Sequence, residues 1–199
     1  MIKEIKTENL QTFVYKTRDE MGKNAAEHAA IAINKAISEK GYANVIFAAA
    51  PSQNETLEHL LKQDIDFSLI NAFHMDEYSG LSIENEQSFA KYLYDHVFSK
   101  KTFKSVNYVP AKLDIELACK SYGELLTKFP PDVVLMGIGE NGHIAFNDPP
   151  VADFNDKAII KKVELDEICR NQQVHDGCFK TLDEVPKYAL TLTVPTLVS

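Results

Sequence analysis

The sequence predicts an α/β protein: a doubly wound, mostly parallel sheet with helices on both faces. Three observations carry this. Short apolar runs rich in β-branched residues alternate with segments of helical periodicity along the chain. The run Asn44 to Ala50 is apolar on both faces, as a strand of a parallel sheet covered by helices must be. The run Val133 to Met136 leads at once into Gly137, Gly139 and Gly142. That is a sharp turn beyond the carboxyl end of a strand, where open α/β sheets bind their ligands.

Taken in order, residues 12–16 read as a short edge strand. A helix over 18–40 follows, with Met21, Ala25, Ala29, Ala32, Ile33, Ala36 and Ile37 at i/i+3/i+4 spacing and Gly41 as its stop. The strand 44–50 leads to a helix over 54–63, and a strand over 66–73 runs into Met75-Asp76-Glu77-Tyr78. Residues 88–101 read as a helix whose face of Phe89, Tyr92, Leu93 and Val97 is core packing. A strand at 105–109, a helix at 114–128 and strands at 132–138 and 157–163 come next. A short helix over 164–173 and a strand over 187–194 close the chain. With no repeats, low-complexity tracts or linkers, a single domain over 1–199 is expected.

Composition narrows the function. Of 199 residues, 45% are hydrophobic and 25% charged, enough for one domain with a sizeable core. The net charge of -8 and pI near 5.3 argue against a nucleic-acid-binding surface. An anionic ligand would have to be held by a few local groups rather than by the global field. Cys119, Cys169 and Cys178 lack metal-ligand spacing and are expected to be reduced thiols of a cytosolic protein. No apolar run approaches the roughly 20 residues of a membrane span, and the N-terminus lacks a signal-peptide core, so a soluble intracellular protein is expected.

The chemistry gathers after the strand at 132–138. Directly beyond its glycines stand His143, Asn147 and Asp148, closed off by Pro149-Pro150. A histidine and a carboxylate at that place suit acid/base work; a Gly-rich turn capped by a half-buried histidine is the structural alternative. The stretch GIGENGHIAFNDPP, residues 137–150, resembles the G-x-G-x-x-GHIAFNEP signature of the glucosamine-6-phosphate deaminase/isomerase family. Phe73-His74-Met75-Asp76-Glu77-Tyr78-Ser79-Gly80-Leu81 is similar to that family's FNMDEY-x-GL, and residues 185–191 match its VPKYALT. The three pieces stand in the family's order, and the resemblance extends from about residue 43 to the end. It implies a Rossmann-like parallel sheet, a sugar-phosphate substrate, and no metal or organic cofactor. Homo-oligomerisation is left open. It also implies a further strand and helix beyond Ser199 in the family pattern.

The resemblance assigns roles. Asp76 would be the base that moves a proton between C2 and C1 of the open-chain sugar, against the alternative of a turn-forming Asx residue. His74-x-Asp76 as metal ligands lacks a third ligand at diagnostic spacing. His143 would open the ring, flanked by two carboxylates in the family; this chain has Asn141 and Asp148 there. Asn141 can orient His143 but brings no charge, and Asp148 is one methylene shorter than the family's residue. The loop Pro51 to Thr56, with Ser52, Gln53 and Asn54, takes the place of the family's Gly-rich phosphate loop, P-T-G-G-T-P. Ser52-x-x-Glu55 is equally a capping box, and Glu55 would repel a phosphate unless it points away. Gly137, Gly139 and Gly142 would let backbone approach the substrate. Arg170 and Lys187 match basic phosphate ligands of the family, a surface arginine being the alternative for Arg170. Glu77 and Tyr78 are read as structural. Val151, Ala158 and Ile160 stand where regulated members carry a serine and basic residues, which argues against the same regulatory site. The implied reaction converts a hexosamine 6-phosphate into a ketose 6-phosphate with release of ammonia. The rivals are a 6-phosphogluconolactonase-like hydrolase, less favoured because of the AFN continuation, and a sugar-phosphate sensor without turnover.

Overall fold

The computed structural model of the protein describes residues 1–165, 167–175 and 179–198. Two short strands, β1 (Lys3–Thr7) and β2 (Leu10–Val14), form an antiparallel hairpin where a lone edge strand was expected. Helix α1 (Arg18–Lys40) starts at Thr17, whose hydroxyl accepts from the Glu20 N–H at 3.1 Å, and stops at Gly41. Strand β3 (Ala43–Phe47), helix α2 (Asn54–Leu60) and strand β4 (Ile70–His74) follow. A 3-10 turn at Phe67–Leu69 takes the first part of the strand expected from residue 66.

Strands β3, β4, β6 (Ser105–Asn107) and β7 (Val133–Leu135) make a parallel sheet in the order β6-β4-β3-β7. The chain moves outward from β3 through β4 to β6, then returns to lay β7 on the other side of β3. The order therefore reverses between β3 and β7, and the crevice beyond their carboxyl ends is the place for a ligand.

The sheet is mostly parallel, as expected, and antiparallel pairing enters in the second half. Strand β5 (Asp76–Tyr78) pairs antiparallel with β9 (Tyr188–Leu192), as does β8 (Ile160–Glu164), giving a separate three-stranded sheet. The helix expected over 88–101 is a short α3 (Phe89–Leu93) followed by a π-helical turn at Tyr94–Phe98. Helix α4 (Ile115–Lys128) is capped by Asp114, which accepts from the N–H groups of Glu116 and Leu117. Helix α5 spans Glu167–His175, and the chain turns into α6 (Val194–Val198) where the last strand was expected to continue.

The core is layered by strand alternation. Val45, Phe47 and Ala72 face α1, α2 and the aromatic residues Phe67 and Phe98. Ile46 and Phe73 face Ala118, Tyr122 and Leu126 of α4, together with Leu190 and Leu192 of β9. A third cluster sets Tyr78 against Phe146, Phe89 and Phe179, with ring centroids 5.0–5.7 Å apart, so two of the sequence signatures meet in one aromatic group. Among the described residues, no helix is long and apolar enough to cross a membrane. Cys119 is a free, half-buried thiol; Cys178 lies outside the described residues.

Helices α1 and α2 pack almost backbone to backbone at Gly22. A Cβ there would stand 2.5 Å from Glu55 Cβ, 2.7 Å from the Glu55 carbonyl carbon and 2.8 Å from the Thr56 nitrogen. Because two of these atoms are backbone, the helices must separate to admit a methyl group. Gly22→Ala should lose about 1–3 kcal/mol of stability, read as a lower urea midpoint at unchanged slope. An unchanged midpoint would show that this contact does not hold the two helices.

Candidate active site

The crevice between β3 and β7 is framed by loops that leave their carboxyl ends. After Phe47 the ladder runs one bond further, Ala48 N–H donating to the Leu135 carbonyl at 2.9 Å. The chain then makes a 3-10 turn at Pro51–Gln53, with Ala50 as its cap, and enters α2. The capping box expected from Ser52 and Glu55 is not formed, because Ser52 sits inside the 3-10 turn rather than before the helix. Glu55 turns instead to α1, where Arg18 forks onto its carboxylate, Nε to Oε1 and Nη2 to Oε2, both at 2.8 Å. Hydrogen bonding from Arg18 holds Glu55 below the usual carboxylate range. The same guanidinium donates to the Pro51 carbonyl at 2.8 Å. Glu55 is thus turned to a neutralising partner, and Ser52 and Asn54 stay exposed at the surface of the loop while Gln53 is buried. A Cβ on Gly137 would lie 3.3 Å from Gln53 Nε2 and 3.4 Å from Ser52 Oγ, so the two loops adjoin there.

The second loop folds back on itself. Gly139 N–H donates to the His143 carbonyl and Gly142 N–H to the Gly139 carbonyl, each at 2.9 Å. Gly142 takes φ +86°, the left-handed region that favours glycine, and the imidazole of His143 lies directly over Gly139, where a Cβ would fall 2.1 Å from Cε1. Asn141 stands between His143 and Asp148. Its amide nitrogen donates to Asp148 Oδ1 at 2.9 Å, since an ionised carboxylate only accepts, so its oxygen must face the imidazole. His143 Nδ1 is 2.6 Å from that oxygen and 3.4 Å from Asp148 Oδ1. Nδ1 therefore carries a proton, and in the neutral ring Nε2 keeps the lone pair. Half-exposed, His143 can exchange a proton with something in the crevice.

Asp76 opens β5, just beyond the carboxyl end of β4, and pairs with Thr191 of β9. It is 8% exposed, and no described group donates a hydrogen bond to its carboxylate. Burial, with the neighbouring charge of Glu77, pushes it up to about 8. Thr191 also receives the Phe146 N–H on its hydroxyl at 3.1 Å, and the Asn147 amide donates to the Leu192 carbonyl at 2.8 Å. One strand thereby ties Asp76 to the His143 loop. The sequence reading passed over Thr191, although it ends the matched stretch 185–191. Arg18 gave no signal, lying 37 residues from its partner.

Glu77 and Tyr78 are structural in the fold: Glu77 accepts from Ser88 Oγ and the N–H groups of Tyr78, Phe89 and Ala90, and so caps α3. Arg170 and Lys187 were expected to share one phosphate with the 51–56 loop. They line a cavity of about 360 Å³ with Glu164, Leu165 and Glu167, and no residue of the loop lines it. Arg170 is buried and donates to the Leu182 carbonyl at 2.5 Å and the Val185 carbonyl at 3.0 Å. Among the described residues, no group of three or more His, Cys, Asp or Glu is placed to hold a metal ion.

A family model described as glucosamine-6-phosphate isomerases/6-phosphogluconolactonase matches residues 16–158. A glucosamine-6-phosphate deaminase of Lactobacillus delbrueckii subsp. bulgaricus is 32% identical over 192 residues, covering 96% of this chain and 77% of that protein. One of Streptococcus pyogenes serotype M3 is 31% identical over 80% of this chain and 66% of its own length. Among solved structures, a monomeric glucosamine-6-phosphate deaminase superposes with a TM-score of 0.80 at 29% identity, over 92% of this chain and 76% of that one. A 6-phosphogluconolactonase from Thermotoga maritima reaches 0.68 at 21% identity, over 86% and 72%, a likeness of fold alone. The chain belongs to the glucosamine-6-phosphate isomerase/6-phosphogluconolactonase family. Within it, the chain is an enzyme of the glucosamine-6-phosphate deaminase/isomerase kind.

The environment of Asp76 makes a stability prediction. The unfolded chain releases this proton near the ordinary value of 3.8, whereas the folded protein keeps it up to about 8. The contribution is fully present below the lower value and is lost as pH rises through the upper one. Asp76→Asn removes the titration, so its melting temperature should gain on the parent between about pH 4 and about pH 8. A difference independent of pH would mean that Asp76 ionises normally.

Proposed function

We propose that the protein converts a hexosamine 6-phosphate and water into a ketose 6-phosphate and ammonia. The observation that carries this reading is the convergence of a buried, proton-retaining Asp76 with the His143–Asn141–Asp148 relay beyond the carboxyl ends of β3, β4 and β7. Ser52, Gln53 and Asn54, beside Gly137, would receive the phosphate, with Glu55 held away by Arg18. His143 would shift the proton from the anomeric hydroxyl to the ring oxygen through its Nε2, opening the ring. Ionised Asp76 would then take the C2 proton and return it to C1. With one N–H proton passed to the C1 oxygen, the product of that transfer is an imine at C2, which water hydrolyses with loss of ammonia. Gly139 and Gly142 would keep His143 close over the loop backbone. Phosphate contact by Arg170 and Lys187 is a separate proposal, since their cavity does not include the loop.

Binding and chemistry are tested apart. At a hundredfold excess over its Kd, a hexosamine 6-phosphate should stabilise the protein by about 2.7 kcal/mol, and the dephosphorylated sugar by far less. Ser52→Ala should weaken that effect, and Lys187→Gln should weaken it only if the basic pair reaches the phosphate. Equal stabilisation by both sugars would refute phosphate recognition. Asp76→Asn should lower ammonia release by about 10²–10⁴-fold, and the parent enzyme should place solvent deuterium in the ketose. Normal turnover of the variant would remove Asp76 as the base. Hydrolysis of 6-phosphogluconolactone in place of ammonia release would favour the hydrolase reading.

The neutral Asn141 also motivates the sensor reading, in which binding survives without turnover. If turnover is present, Asn141 and Asp148 act through one imidazole. Asp148→Asn should slow ring opening by roughly tenfold or more, and should do so less in an Asn141→Asp background. The double-mutant cycle on ammonia release checks this. Strict additivity would mean that the two side chains do not share His143.

A further inference from the structure

His74 stands where the related signature has asparagine, and the chemistry above leaves it unused. It is fully buried at the end of β4. The Val109 N–H donates to its Nδ1 at 3.2 Å. An amide N–H only donates, so Nδ1 must present its lone pair and the ring proton sits on Nε2. Among the described residues Nε2 has no hydrogen-bond partner, and it faces the Glu77 carboxylate, with Oε2 at 3.7 Å. That separation is too long for a hydrogen bond but short enough for attraction between an N–H dipole and a charge in a buried site.

Glu77 is the residue next to Asp76 and the charge that bears on it. Burial alone would push Glu77 up, but His74, the Ala90 N–H and the Ser88 hydroxyl more than offset this and keep it ionised. Asp76 in turn bears on Tyr122 of α4, which burial, with that charge, holds neutral far above the usual tyrosine range. Its hydroxyl is hydrogen-bonded to the His74 backbone, 2.8 Å from the carbonyl and 3.2 Å from the N–H. The Tyr108 ring stands edge-on to the imidazole, with centroids 5.8 Å apart.

We infer that His74 is a positioning residue for the reaction: its Nε2–H, aimed at Glu77, sets how much of that carboxylate's charge reaches Asp76. Without that dipole Glu77 would repel the ionised form of Asp76 more strongly, and the base would be free to act only at higher pH. Without the charge of Glu77, His74 would have nothing to moderate. The inference rests on Asp76 as the base, so its test reads Asp76 directly as well as through turnover.

The experiment is a carbon-13 NMR titration of the Asp76 carboxyl in the free protein, together with the pH profile of kcat/KM. His74→Asn should raise the Asp76 midpoint from about 8 by half a unit or so, and the acid limb of the profile should follow, roughly a threefold loss of rate on that side. Glu77→Gln should lower the midpoint, and adding His74→Asn to it should produce no further shift. A His74→Asn protein that folds with its midpoint in place would overturn the inference. If the midpoint moves but turnover does not follow, the coupling stands and Asp76 is not the base. Nitrogen-15 NMR of the unaltered protein keeps the test open should the variant not fold: His74 must carry its proton on Nε2, and a proton on Nδ1 would refute the arrangement.

Discussion

The antiparallel pairing of Asp76–Tyr78 with Tyr188–Leu192 is the interaction on which the site depends. It continues the direction of β4 out of the parallel sheet and holds Asp76 opposite Thr191 in a place with little access to water. On the same strand, the Thr191 hydroxyl receives the Phe146 N–H and the Leu192 carbonyl receives the Asn147 amide. Asp76 and the histidine loop are therefore positioned by one strand rather than by two independent loops. The packing of Tyr78 against Phe146 and Phe89 closes the same junction with apolar surface. A proton-transfer site needs its groups held within a few tenths of an ångström, and rigid elements achieve this better than loops do.

Electrostatics here is local. The net charge of -8 does nothing to draw an anion in, so each carboxylate near the crevice needs its own arrangement. Glu55 is held by Arg18, Glu77 by four hydrogen-bond donors and the His74 dipole, and Asp148 by the Asn141 amide. Among the described residues Asp76 is left without a donor, and that difference in treatment separates it from the others. Burial without hydrogen bonds favours the protonated carboxyl, which is how one carboxylate comes to hold a proton near neutral pH while its neighbour stays ionised.

The exchange of a carboxylate for Asn141 changes the relay in kind. A carboxylate at that position would stabilise a charged imidazole directly; the amide transmits orientation and leaves the charge to Asp148, 3.4 Å from Nδ1. Asn141 fixes the tautomer of His143 because its own amide is fixed by Asp148. In the proposed ring opening, His143 would act with a weaker field behind it.

The sequence by itself determined the α/β class, the strands that build the parallel sheet and the family, since apolar periodicity and three short signatures are local properties. Asp76, His143, Asn141 and Asp148 were legible for the same reason, each lying within a signature. What the tertiary structure decided are contacts between residues far apart in the chain. Arg18 turning Glu55 away, Thr191 anchoring two loops, and the cavity that Arg170 and Lys187 share with Glu164 and Glu167 have no local pattern to announce them. The antiparallel sheet of β5, β9 and β8 escaped for a related reason: a strand's alternation tells which face is buried, but not in which direction its neighbour runs. The capping box at Ser52 failed because Pro51 starts a 3-10 turn one residue earlier and draws Ser52 inside it. His74 read as one variable letter in a motif, and only burial against Glu77 gives its ring nitrogen a charge to act on.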